Sequence, residues 1–163
     1  MTAFEVPVGP ALVVSFQRYR CPASGLVDAP AASCGALPVL MPGAGVLLVP
    51  CPDGEALWIG LLPGGAGAAV TVQALGAELT VHVPPVHALA GMPRASGAGP
   101  LWAIARHADG APVCRRIDVV AVSGSVATTV RVELIDSQRY AALSGQPLPP
   151  LDESAAYGGW LLP

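Results

Sequence analysis

The sequence predicts an all-β fold, an antiparallel β-sandwich or barrel with long Pro/Gly-rich loops and at most one short helix. Two observations carry that expectation. Apolar and polar residues alternate with period two in several segments, while helical periodicity is weak. Glycine occurs 19 times and proline 18 times in 163 residues, which cuts the chain into short pieces and leaves little room for helix.

The strands are read in chain order. Leu12 to Tyr19, Val46 to Val49 and Leu57 to Leu61 are apolar runs of strand length, followed by Val70 to Leu75. From Glu78 to Val83, Leu79, Val81 and Val83 alternate with Glu78, Thr80 and His82. From Thr129 to Leu134, Val130, Val132 and Leu134 alternate with Thr129, Arg131 and Glu133. Both are patterns of a strand with one face on a core and one in water. Leu101 to His107 and Ile117 to Val122 complete the set.

Turn signals suggest a meander of hairpins. Asp53-Gly54 and Asp109-Gly110 each lie between strand candidates, and both residue types tolerate positive φ. Ser123-Gly124-Ser125 separates two Val-rich runs, the strongest hairpin in the chain. Ser137 is placed to cap a helix over Gln138–Leu143, closed by Gly145, and Val86–Ala90 is read as a single turn. Residues 1–144 are thus expected to form one sandwich domain. Residues 145–163 form a Pro-rich, extended C-terminal tail.

Charge is the compositional anomaly. Hydrophobic residues make up 53% of the chain and charged residues 12%, about half the share of an ordinary domain. Lys and Asn are absent, which a GC-rich genome explains. Codon usage does not explain why only eleven acidic residues are present. A surface so sparsely charged suggests that another chain covers part of it. The net charge of −3 and the lack of a basic cluster argue against nucleic acid as a partner. Arg18 with Arg20, and Arg115 with Arg116, are read as solvated edge pairs. No apolar run reaches the ~20 residues a membrane helix needs. Met1 to Pro10 has neither a basic region nor a continuous apolar stretch, so synthesis in the cytoplasm without a signal peptide is expected.

Without Lys, a P-loop and a Schiff-base lysine are excluded. No serine sits in a G-x-S-x-G elbow, and Cys21, Cys34, Cys51 and Cys114 form no C-x-x-C pair. They are expected to be reduced, with a Cys21–Cys34 bridge across the intervening loop as the alternative. Cys114 and His107 would approach only if Asp109-Gly110 made a hairpin. His82 and His87, separated by Pro84-Pro85, fit no metal signature. Asp118, Glu133 and Asp136 read as solvent-facing carboxylates rather than a glycosidase pair. No cofactor is implied.

The expected function is therefore non-enzymatic. The chain reads as a structural or assembly subunit of a larger oligomer, comparable to a virion or phage-tail-like component such as a capsid cementing or decoration protein. Its partners would be protein subunits. The residues assigned to partner binding are those of the tail, Pro147, Pro149 and Pro150 as a stiff extended segment, with Tyr157 and Trp160 as aromatic anchors. The alternative is a small-ligand or carbohydrate-binding β module using Trp58, Trp102 or Trp160. The two strand tryptophans are expected to pack in the core instead.

Overall fold

The computed structural model describes residues 2–156. Among these residues are fourteen strands. The first seven are β1 (Thr2–Ala3), β2 (Val6–Val8), β3 (Leu12–Arg20), β4 (Leu26–Val27), β5 (Val39–Gly43), β6 (Val46–Pro50) and β7 (Glu55–Pro63). The others are β8 (Ala68–Ala74), β9 (Ala77–Val83), β10 (Ala88–Leu89), β11 (Gly91–Met92), β12 (Leu101–Ala103), β13 (Arg116–Ser123) and β14 (Val126–Ile135). One α-helix, α1 (Ser137–Ser144), and a 3-10 turn over Glu153–Ala155 follow.

The strands form three sheets. The largest has the order β1-β5-β6-β14-β13-β8-β9, the second β10-β7-β3-β2 and the third β11-β12-β4. Side-chain parity shows how they stack. Leu12, Val14 and Phe16 of β3 and Leu57, Ile59 and Leu61 of β7 share a core with Val70, Val72, Val119, Val130 and Val132 of the large sheet. The opposite face of β3 and β7 presents Tyr19, Ala56 and Trp58, which pack with Val27 and Ala103 of the small sheet. The four-stranded sheet is therefore a middle layer. This explains why β7 reads as an almost unbroken apolar run, whereas β9 and β14, with one face in water, alternate.

Of the expected hairpins, only Ser123-Gly124-Ser125 forms. Ser123 pairs with Val126, and Gly124 at φ 59° makes the turn. The Asp53-Gly54 turn instead carries the chain from the large sheet to the middle one. Pro50 and Pro52 lack the N–H that continued pairing requires, and Glu55 N donates to Pro52 O at 3.1 Å with Gly54 at φ 81°. β6 itself runs parallel to β14, the one parallel pair in the three sheets. Asp109-Gly110 makes no hairpin either. The segment after β12 folds back through the Ala108–Ala111 turn, and Ala105 bridges Val113 in parallel. Residues 86–90 form no helical turn, because Ala88–Leu89 pairs with β7. The α1 cap is Asp136 rather than Ser137, its carboxylate accepting from Arg139 N at 2.7 Å, and Gly145 closes the helix at φ 78°.

Gly110 and Gly25 hold two loops against each other. A Cβ on Gly110 would collide with Ala23 O, and one on Gly25 with Gly110 O, while Gly54 has open space around it. Gly54→Ala is accordingly expected to cost only the left-handed penalty, about 1–2 kcal/mol. Gly110→Ala adds a backbone collision and is expected to cost about 3 kcal/mol or more. Urea unfolding of the two variants measures the difference.

Candidate functional site

Where the tail meets the sandwich, a buried ion pair organises the surface. Arg18 is two positions beyond Phe16 on the core-facing side of β3. It lies opposite Leu57, so Glu55 on β7 is its diagonal neighbour. Arg18 Nε and Nη2 donate to Glu55 Oε1 and Oε2, both at 2.8 Å. The side chains are 7% and 9% exposed. Arg18 Nη1 then donates to the carbonyl of Pro149 at 2.9 Å. A buried pair of this kind is held by its geometry, because removing either member strands the other charge out of water. The reading of Arg18 as a solvated edge residue is thus corrected, though Arg20 is exposed and pairs with Glu153 at 2.9 Å.

The first part of the tail is therefore docked on its own domain. Helix α1 lies on the outer face of the large sheet, where Tyr140 packs with Leu48 and Ile135, and Leu148 packs against them from the tail. Between the helix, the tail and the 34–38 loop runs a groove of about 740 Å³. Its apolar walls include Phe4, Ala36, Pro38, Tyr140, Pro147, Pro149 and Pro150, and Arg18, Cys34 and Asp152 supply polar atoms. Phe4 is 55% exposed at this groove, and Leu143 of α1, which does not line the groove, is exposed to the same extent. The structure thus gathers Pro147, Pro149 and Pro150 at one groove, while Tyr157 and Trp160 lie outside the described residues.

This chain has no match among protein-family models, curated proteins or solved structures.

The side chains weighed for chemistry are spread apart or otherwise engaged. Cys114 is buried, with its thiol directed at Arg116 O at 3.6 Å. His107 is exposed and lies 3.8 Å from Asp53. Asp118 pairs with Arg116 at 3.0 Å and faces Arg131 across the ladder, and Glu133 faces Arg116. Asp136 is occupied as the helix cap. His82 and His87 are exposed. Among the described residues, no three His, Cys, Asp or Glu side chains converge as a metal site would require. Trp58 is core, its indole donating to Ala31 O at 2.9 Å, and Trp102 is half-buried on β12.

All four cysteines are free thiols. Burial pushes the Cys51 thiol up to about 12 and the Cys114 thiol up to about 11. Burial and the neighbouring Cys21 and Cys51 raise the Tyr19 phenol as well. The phenol oxygen is buried with no hydrogen-bond partner among the described residues.

Two outcomes follow from this arrangement. Arg18→Met alone, which leaves Glu55 buried and unpaired, is expected to cost about 3–5 kcal/mol, and Arg18→Met with Glu55→Leu to recover most of it. A double-mutant cycle in urea checks both. For the thiols, the folded state keeps protons that the unfolded chain releases above its ordinary value of 9.0. Stability is then fully present below pH 9 and falls as pH rises towards 11 and 12. The alkaline decline in melting temperature is expected to be shallower in Cys51→Ala and Cys114→Ala.

Proposed function

We propose that this chain is a non-enzymatic structural or assembly subunit of a larger oligomer, in the manner of a virion or phage-tail-like component such as a capsid cementing or decoration protein. The observation that carries the reading is the groove beside the tail. Phe4, one of the five large hydrophobic side chains exposed among the described residues, lines it, and Leu143 is exposed on the helix that supplies Tyr140 and Ser144 to its wall. The tail that forms its wall continues in sequence into Tyr157, Trp160, Leu161 and Leu162. Exposed apolar side chains clustered on an undercharged surface are what a subunit interface presents before assembly. The stiff prolines beside them lower the ordering cost of docking a partner.

A second reading draws on the groove's size. Its 740 Å³ lies within the range of small-molecule sites, so a small ligand or carbohydrate stacked on Phe4, close to the edge of the buried Tyr140 ring, is the competing occupant. Oligosaccharide titration followed by NMR shifts at those two rings supports it if they move and removes it if they stay still.

The assembly reading is tested by light scattering of the full chain over a wide concentration range. Deleting all of 145–163 would also remove Leu148 from its packing and Pro149 from Arg18, so the deletion is made after Ala156. That deletion and Phe4→Arg are each expected to weaken association about tenfold or more, with the unfolding midpoint unchanged. Association identical to that of the unaltered chain in both variants overturns the role of the groove.

A further inference from the structure

The large sheet ends in an edge of a different kind from the rest. β9 is seven residues long and borders only β8. The other sheet edges, β1, β2, β4, β10 and β11, are two or three residues each. Short edges resist pairing with another chain; a long one is a template for it.

Register shows which backbone groups of β9 are free. The Leu75-Gly76 turn joins Ala74 to Ala77, with both turn residues at positive φ, 54° and 71°. In such a two-residue hairpin the flanking pair is hydrogen-bonded, and hydrogen-bonded pairs then recur at every second position. Ala77, Leu79, Val81 and Val83 therefore bond to β8, while the N–H and C=O of Glu78, Thr80 and His82 point outward. Of these, the only intrachain backbone bond among the described residues is Val86 N to His82 O at 3.0 Å. The side chains of Glu78, Thr80 and His82 are all exposed.

We propose that β9 is a homotypic docking edge, pairing antiparallel with β9 of a second copy about a two-fold axis at Thr80. This rests on the assembly reading and deepens it by naming a copy of this chain as one partner. The sequence of the strand is what selects that occupant. With Thr80 opposite itself, Glu78 falls opposite His82 of the second copy, and symmetry makes the pairing twice. An imidazole N–H then faces a carboxylate at both ends of the ladder. Glu78 is only loosely held within its own chain, by Gln73 Nε2 at 3.4 Å. The half-buried Leu79 and Val81 fall opposite each other across the same axis. In this register Thr80 exchanges both backbone hydrogen bonds with its symmetry mate, and each His82 N–H meets Glu78 O, while His82 O keeps its bond from Val86 N. Pro84 and Pro85 lack the N–H needed to extend the ladder, so the contact is short, and its two-fold symmetry closes it as a dimer.

The test is light scattering of the full chain with Glu78→Arg, His82→Glu and the double variant, together with amide exchange at Thr80. The unaltered chain is expected to approach twice its mass of 16.4 kDa as concentration rises, with the Thr80 amide becoming protected. Each single variant places like or unmatched charges opposite one another twice. It is expected to raise the half-association concentration about tenfold, and the double variant to restore it. A chain that stays monomeric, single variants that associate normally, or a double variant that fails to recover overturns the proposal. Association that persists through the edge variants but is lost in Phe4→Arg leaves the assembly reading standing without this edge. Association lost in the single edge variants, recovered in the double variant and unaffected by Phe4→Arg supports the edge and removes the groove.

Discussion

Nine residues of β3 lie antiparallel to nine of β7, and both faces of the pair are covered. One face meets the seven-stranded sheet through Leu12, Val14, Phe16, Leu57, Ile59 and Leu61, and the other meets the small sheet through Tyr19, Ala56 and Trp58. Burial on both faces makes an unsatisfied polar group costly. Apart from the Tyr19 phenol, which is buried without a partner among the described residues, the buried polar side chains of these strands are matched. Gln17 donates to Ser15 and accepts from Ser33, while Arg18 is held by Glu55. The middle layer fixes where the other two sheets sit, and so where their edges and loops emerge.

The Arg18–Glu55 pair links that layer to the surface. The third nitrogen of its guanidinium, Nη1, reaches Pro149 O, so the start of the tail is bound to the core by a charged group rather than only by apolar contact. The groove beside it is walled by α1, the tail and the 34–38 loop, with Tyr140 and Leu148 packed on Leu48 and Ile135 of the large sheet. The tail face and the β9 edge are formed by different parts of the large sheet, since β5 and β6 lie towards one end of the strand order and β9 at the other. Under the proposed assembly reading, two such surfaces would let one subunit meet two neighbours.

Much of the fold was legible in the sequence because it is set by local periodicity. The alternation in Glu78–Val83 and Thr129–Leu134, the Gly124 hairpin and the helix closed by Gly145 follow from side-chain parity and backbone sterics within a few residues. The Leu75-Gly76 hairpin carried no Asn-Gly or Asp-Gly signal, since Leu75 occupies a positive-φ position while packing against the core. Asp53-Gly54 and Asp109-Gly110 carried the signal without the hairpin. A turn specifies a reversal of direction, not the sheet the chain enters next.

The candidate site was legible only in part. Pro147, Pro149 and Pro150 were marked by composition, and the structure places them at one groove. Arg18 was missed, although its parity with Leu12, Val14 and Phe16 was a signal that it faces inward. What the sequence determined by itself is the all-β class and most of the longer strands, because these depend on residues near in the chain. Only the tertiary structure decided the three-layer stacking, the parallel β6–β14 pair, the burial of Arg18 and the identity of the free edge. Each depends on contacts between residues far apart in the chain, as Arg18 with Glu55 and Val46 with Arg131 show.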